Sequence, residues 1–346
     1  MATVETRLGR FRTDRERWML SASRIVLVAL VGWFLLAQWA NVTFEMRTQA
    51  GIYLFGMVAL NLPYGGYEHM SNLQHRGLPF GARYIGLYLL LVAGFVALFF
   101  LAPVVGLAVA IAVAVAKGGH GGLRVLDALI GTDHLRTKPQ RALAAFVRGG
   151  TVMIVPIYFW PGDFAAFSTF MVEIFRPGAF AAVAPYFGEL RVGLGALFAV
   201  AVAVHVGLGF LRREGLKTWL VDAGETALLI AYFAVVPVVI AVGLYFPLWY
   251  SLRQSARTEA VRAELPSVDP ESTPSPHAVI AAFIGGTIAT FALAALIAML
   301  APNPMSGGTL LISGVAFFSV FISIIALPHV VVGSWLDTDR GIWYTP

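Results

Sequence analysis

Cysteine and charge are what this sequence lacks. None of its 346 residues is a cysteine, and only 12% are Asp, Glu, Lys or Arg, whereas a soluble domain carries about 25%. The lack of cysteine excludes disulfides, thiolate-bound metals and thiol nucleophiles. The scarcity of charge excludes a water-soluble globule, and it equally excludes a disordered chain or a coiled coil.

Apolar residues dominate instead, at 58% of the chain, with a mean hydropathy of +0.78. They form runs of about 20 residues, long enough to cross about 30 Å of hydrocarbon as a helix. The sequence therefore predicts an all-α, polytopic transmembrane helix bundle of about 8–10 spans. Our working set of ten is 23–41, 48–66, 83–101, 103–119, 142–160, 190–211, 218–236, 238–255, 277–300 and 309–333.

The distribution of basic residues predicts the orientation. With ten spans and both termini in the cytoplasm, the outer segments hold only Arg47, Arg176 and Arg191. The basic residues of the other segments between spans then face the cytoplasm, as the positive-inside rule requires. We therefore expect a multi-pass protein of the cell membrane whose surrounding partner is the lipid bilayer. The net charge of +5 is explained by this asymmetry, and we expect no nucleic-acid partner.

The chain reads as one transmembrane domain at 23–337, after a basic cytoplasmic segment at 1–22 and before a tail at 338–346. The first apolar run is followed by no clear cleavage site and is expected to be retained. Residues 256–276, rich in Pro, Ser and Glu, predict a mobile cytoplasmic linker. The apolar segment 163–187 is interrupted by Pro177 and Pro185, and it lies either along the outer interface or as a short extra helix on the bundle.

Polar residues in the predicted spans or at their ends gather in one leaflet, and such residues mark function by default. They are Tyr64, Glu68, His69, His120, His205, Asp222, Glu225, Tyr250, Gln254 and His329. This pattern predicts a polar cavity in the inner half of the bundle. The structural alternative is that each bonds a neighbouring helix, with Glu225 paired to Arg148. His75 and His134 fall in loops beside arginines and are expected to be solvated.

Common catalytic motifs are missing from the sequence: it has no Walker loop, no HExxH and no nucleophile elbow. No lysine falls inside a predicted span, since Lys117 stands at a span end. A retinal Schiff base of the rhodopsin type is therefore not expected.

Four blocks carry a resemblance to a known family: NLPYGGYEH (61–69), KGGHGG (117–122), ETALLIAYFAVVPVVIAVGLYFPLWYSLRQ (225–254) and ALPHVVVGSWLD (326–337). Together they resemble the Brp/Blh family of membrane-bound β-carotene 15,15'-dioxygenases, over about residues 50–337. The resemblance implies oxidative cleavage of β-carotene, or another carotenoid, with O₂ to two retinal molecules. It also implies a non-haem Fe(II) held by histidines, and an opsin as a partner for the product.

The family's ligand histidines map onto four positions of this chain. The retained ligand is His120, and the replaced ones are Tyr64, Tyr250 and Gln254. The resemblance also implies candidate catalytic roles for Glu225 and Tyr245. Three further histidines are candidate substitute metal ligands: His69, His205 and His329.

These replacements leave three functions open. Tyrosine binds iron as a phenolate, and glutamine is a weak neutral donor, so a four-histidine site does not transfer unchanged. The first function is carotenoid cleavage at a rearranged iron site. The second is a non-catalytic relative, a pseudoenzyme that binds carotenoid or retinal or regulates rhodopsin biogenesis. The third is a proton-coupled transporter that uses the intramembrane acids and histidines.

Overall fold

The computed structural model describes residues 14–61, 82–262 and 276–336, and within these ranges the chain forms helices and turns but no strand. The all-α prediction is confirmed. The first six α-helices are α1 (Asp14–Trp39), α2 (Met46–Leu54), α3 (Ala82–Leu101), α4 (Pro103–Leu129), α5 (Lys138–Phe159) and α6 (Pro161–Glu173). The others are α7 (Phe187–Arg212), α8 (Leu216–Val235), α9 (Val238–Tyr245), α10 (Leu252–Arg262), α11 (Pro276–Leu300) and α12 (Leu310–Leu336).

The surface of the bundle is apolar, as expected for contact with lipid. Large side chains such as Trp33, Trp39, Leu211 and Met299 are more than half exposed. Among the described residues, six helices are long and apolar enough to cross a membrane, and two shorter apolar helices lie at 86–101 and 290–300. The chain is therefore a multi-pass helical membrane protein.

Helices α4 and α5 pack with their backbones in direct contact. A Cβ atom on Gly119 would overlap the carbonyl oxygen of Ala145, and one on Gly149 would overlap that of Val115. Only glycine permits this approach, which is how small residues bring membrane helices together. The contact fixes the glycine-rich segment 118–122 against α5.

Two π-helical segments interrupt the α-helical pattern. Phe55–Asn61 continues α2, and Phe246–Ser251 joins α9 to α10. The two segments contact each other. Beside them a Cβ on Gly56 would overlap the carbonyl of Gly243, so these backbones also touch. Wide turns of this kind occur frequently at functional sites, and the second one carries Tyr250.

Several helix ends differ from the predicted spans. Helix α4 continues ten residues past the predicted end at 119, so Lys117, His120 and Arg124 lie inside a helix rather than at its end. Helix α1 begins within the predicted 1–22 segment, and α10 takes in 256–262 of the predicted linker. A hydropathy pattern marks only the apolar part of a helix, whereas these helices continue into polar or glycine-rich residues beyond the apolar run.

The segment at 163–187 takes the form of a short helix packed on the bundle. Helix α6 covers its first part, and two short 3₁₀ turns follow at Ala179–Ala182 and Ala184–Tyr186. Val172 and Ile174 are fully buried against neighbouring helices. The segment is therefore part of the core, with Pro177 after the end of α6 and Pro185 within the second 3₁₀ turn.

Candidate functional site

Two carboxylates lie buried in α8, one turn apart and on the same face. Asp222 and Glu225 are 1% and 3% exposed. Both face Arg148 of α5, whose Nη2 is 2.6 Å from Asp222 Oδ1 and 3.2 Å from Glu225 Oε2. The pairing of Glu225 with Arg148, the structural alternative of the sequence analysis, is present.

Glu225 binds two further arginines from other helices. Arg253 of α10 donates from Nη2 to Oε2 at 2.8 Å, and Arg24 of α1 donates from Nη2 to Oε1 at 2.6 Å. We call the five residues Arg24, Arg148, Asp222, Glu225 and Arg253 the arginine–acid cluster. Each carboxylate oxygen of Glu225 accepts from a guanidinium, so its geometry is that of an ion pair that joins four helices.

Two histidines complete the surroundings of Asp222. Nε2 of His134 and Nε2 of His205 lie 2.8 and 3.2 Å from Asp222 Oδ2. The expectation that His134 is solvated was wrong, since its side chain is buried. The loop after α4 is held inward because buried Arg141 of α5 binds Asp127 at the end of α4 and Thr132 within the loop. His205, a candidate metal ligand, is positioned here against Asp222.

A second group of polar residues lies beside His120 of α4. A Cβ built on Gly121 would stand 2.6 Å from Cε2 of Tyr250 and 2.7 Å from Nε2 of Gln254. The lack of a side chain at Gly121 is what admits both groups. The structure thus places Tyr250 and Gln254 against the residue after His120. We call His120, Gly121, Tyr250 and Gln254 the His–Tyr–Gln site.

The His–Tyr–Gln site and the arginine–acid cluster adjoin along α4. A Cβ on Gly122 would stand 3.4 Å from Cδ of Arg148, and one on Gly118 would stand 3.6 Å from Oη of Tyr245. Tyr245 is buried and packs against Phe233, with ring centroids 5.3 Å apart. Its hydroxyl therefore points to α4 beside Gly118, two residues before His120.

Lys117 lies on the face of α4 that carries Gly121. Its Nζ lies 5.6 Å from the ring centroid of Tyr250, within range of a cation–π interaction. The sequence analysis placed this lysine at a span end and therefore discounted it. The length of α4 corrects that placement.

The described residues do not by themselves fit a ferrous ion. Fe(II) sites in oxygenases use imidazoles and carboxylates. The His–Tyr–Gln site offers one imidazole with a phenol and a carboxamide, and the nearby acids are bound by arginines. Within the described ranges no group of three or more His, Asp or Glu side chains is arranged to hold a metal.

Three predicted metal-ligand residues fall outside the part of the chain whose side chains the structure describes. Tyr64 and His69 fall at 62–81, outside the described residues, and His329 lies in α12 with its side chain likewise outside them. Their contribution to a metal site stays a prediction. His205 is the candidate substitute that the structure assigns to other contacts, those with Asp222.

These features define a multi-pass helical membrane protein with adjoining polar groups enclosed by its helices. Residues 55–337 match the family described as β-carotene 15,15'-dioxygenase. The chain belongs to that family.

Relatives in one archaeon extend the match. The chain is 52% identical over 338 residues, 94% of each chain, to the probable β-carotene 15,15'-dioxygenase Brp of Halobacterium salinarum strain R1. It is 33% identical over 296 residues to the probable β-carotene 15,15'-dioxygenase Blh of strain NRC-1, covering 82% of this chain and 83% of the relative. No solved structure shows significant similarity.

Proposed function

We propose that this protein acts in retinal biosynthesis by oxidative central cleavage of β-carotene. The reaction breaks one carbon–carbon double bond, and each of the two carbons receives one oxygen atom of O₂, so that two retinal molecules result. The observation that carries the proposal is the meeting of Tyr250 and Gln254 beside Gly121, the residue after His120, in a chain that belongs to the family throughout this region.

The surroundings suit this chemistry. The site lies among apolar helices whose core includes Trp249, Phe233 and Tyr245. A polyene partitions into such an interior, and exclusion of water protects reactive intermediates. The arginine–acid cluster holds α10 against α8 and α5 and thereby positions Gln254, the neighbour of Arg253.

We place the protein in the cell membrane with both termini in the cytoplasm. The asymmetry of basic residues supports this orientation. The excess of basic residues in the cytoplasmic loops is smaller than predicted, because Lys117, Arg124 and Arg253 lie within helices. Loop residues such as Arg136 and Arg213 still contribute to it. Fusion of a reporter enzyme to each terminus tests the proposal.

The composition of the His–Tyr–Gln site favours a second candidate function. One imidazole, a phenol and a carboxamide form a good hydrogen-bonding site for an organic ligand and a poor one for Fe(II). This set of residues is compatible with a non-catalytic protein that binds carotenoid or retinal and supplies it to an opsin. The transporter alternative gains no support, because Asp222 and Glu225 are bound by arginines.

One experiment separates the two candidates. The full chain is expressed in a β-carotene-producing host, retinal is quantified in membrane extracts, and iron and carotenoid are measured in the purified protein. For cleavage, we expect retinal with the native chain and none with His120→Ala. Carotenoid or retinal bound to iron-free protein, with no retinal formed, establishes the second candidate. Neither retinal nor a bound polyene rejects both.

A reversion series sharpens this result. Tyr250→His and Gln254→His, alone, together and with Tyr64→His, restore the family's ligand types at positions 250, 254 and 64. If the native chain is a non-catalytic binder, the triple variant is expected to gain iron and retinal production. If the native chain already cleaves β-carotene through other ligands, the triple variant has little to gain. Protein yield in each membrane preparation is the control.

A further inference from the structure

Lysine is rare in this chain, and one of its lysines lies well inside a helix that is long and apolar enough to cross a membrane. The sequence has three, Lys117, Lys138 and Lys217. Lys138 and Lys217 are exposed at the beginnings of α5 and α8. Lys117 is partly buried near the middle of α4, 14 residues after Pro103 and 12 before Leu129. Ionisable groups inside membrane-spanning helices are costly and mark function by default.

The position of Lys117 within the bundle is specific. It precedes Gly121 by one helical turn, so the two share a face of α4. Both residues adjoin Tyr250: the Lys117 Nζ lies 5.6 Å from the ring centroid, and Gly121 abuts the ring edge. The amine therefore lies at the His–Tyr–Gln site.

We propose that Lys117 forms a Schiff base with a polyene aldehyde of the retinal class. The Nζ lone pair of the neutral amine attacks the aldehyde carbon. The carbonyl oxygen leaves as water with the two amine hydrogens, and a carbon–nitrogen double bond joins the polyene to the helix. No oxidant or reductant is consumed. Lysine imines with carbonyl compounds are an established form of covalent catalysis and capture.

This inference rests on the proposed function for the class of its ligand. Cleavage would generate the aldehyde close to the amine, and the second candidate function would bind the same aldehyde. An imine serves either case, because it holds an apolar product that would otherwise dissolve in the bilayer. Hydrolysis of the imine, the reverse reaction, would release the aldehyde to an acceptor.

The test uses the full chain, purified from a host that makes no carotenoid, with added all-trans-retinal. Borohydride reduces any imine to a stable amine, and mass spectrometry of the digested protein locates the retinyl group. We expect Lys117 to carry at least roughly tenfold more retinyl than either exposed lysine, the ratio given by about 1.4 kcal/mol of preferential binding. An absorption shift of the bound retinal before reduction is the second readout.

Two variants provide matched controls. Lys138→Gln with Lys217→Gln removes the exposed lysines and is expected to retain both the label and the absorption shift. Lys117→Arg keeps the positive charge over Tyr250 but cannot form a stable imine, and it is expected to lose both signals. Equal labelling of the three lysines, or no Lys117 adduct in folded protein supplied with excess retinal, overturns the proposal.

The result is independent of whether the protein makes retinal. Because the aldehyde is supplied, a Lys117 adduct in a chain that produces no retinal in cells supports the inference and rejects cleavage. Retinal production without any Lys117 adduct does the reverse. A lysine that acts only as a cation over Tyr250 would leave retinal production unchanged in Lys117→Arg and would give no adduct in the native chain.

Discussion

The arginine–acid cluster and the His–Tyr–Gln site adjoin along α4 but are built differently. In the cluster, three arginines and two carboxylates from α1, α5, α8 and α10 form ion pairs at distances of 2.6 to 3.2 Å. In the site, a phenol and a carboxamide meet beside Gly121, the neighbour of His120, where the lack of a side chain leaves room for both. Ion pairs buried between helices join those helices at a high cost if one partner is lost, whereas the groups of the site offer hydrogen-bond donors and acceptors.

The largest expected effect breaks the cluster. Arg148→Ala leaves Asp222 without its arginine and Glu225 with one fewer, deep in the bundle. Removing one partner of a buried ion pair costs about 3–5 kcal/mol. We expect a large loss of thermal stability in detergent, with partial recovery in Arg148→Lys. Wild-type stability in Arg148→Ala would show that the cluster does not hold the helices.

A smaller loss is expected on the histidine side of the cluster. His134→Ala removes a buried hydrogen bond to the Asp222 carboxylate, and such bonds to charged groups contribute about 1.5–3 kcal/mol. The melting temperature should fall by less than in Arg148→Ala. His205→Ala, which removes the longer contact at 3.2 Å, is the matched comparison and should be milder.

The next variant changes the His–Tyr–Gln site and leaves the arginine–acid cluster intact. In Gly121→Ala the added methyl meets the tips of Tyr250 and Gln254, which are side-chain atoms that can shift. Overpacking of this kind costs about 1 kcal/mol at the mild end of its range. We expect near-normal stability with strongly reduced retinal production or polyene binding. Full function in this variant would show that the His–Tyr–Gln site takes no part in cleavage or in polyene binding.

Gly119→Ala is the control for that variant. Its methyl would strike the backbone of Ala145 rather than a movable side chain. Because backbone cannot yield as a side-chain tip does, we expect Gly119→Ala to lower stability more than Gly121→Ala, as measured by thermal unfolding of the two purified proteins. Equal stability of the two variants would contradict the assigned contacts.

The smallest effect concerns Asp133, in the loop after α4. Partial burial raises the pKa of this carboxyl, but hydrogen bonding with the Thr218 side chain and with the Gly215 and Glu214 backbone N–H groups together lowers the pKa below its ordinary 3.8. A lowered native pKa stabilises the fold above the unfolded pKa, and this stability is lost as pH falls through the native pKa. Asp133→Asn should therefore cost under about 1 kcal/mol at neutral pH.

The pH series supplies the check on Asp133. The stability difference between the native chain and Asp133→Asn should shrink as pH falls below 3.8, where the native carboxyl also becomes neutral. A difference that stays constant with pH would mean that Asp133 acts through shape rather than charge. The measurement is thermal unfolding of both proteins in detergent over a pH range.

Some residues of the site could be predicted from the sequence. Polar and ionisable residues are rare in and beside apolar spans, so six of them stood out as candidates: His120, His205, Asp222, Glu225, Tyr250 and Gln254. The pairing of Glu225 with Arg148 was foreseen, because acid and base stood at similar depth. His134 was missed: its neighbours in sequence are polar, and nothing local shows that the loop folds inward. Lys117 was misplaced because the apolar run ends there although α4 does not.

Composition and the length of the apolar runs determined by themselves that the chain is an all-α membrane protein, because hydrocarbon admits few backbone structures. The motif blocks likewise determined its family. Only the tertiary structure decided which polar groups meet. Arg24 and Glu225 are 201 residues apart, and His134 and Asp222 are 88 apart. Such pairings depend on helix packing, which is set by backbone contacts such as Gly119 with Ala145. No local sequence pattern specifies which residues so far apart in the chain will meet.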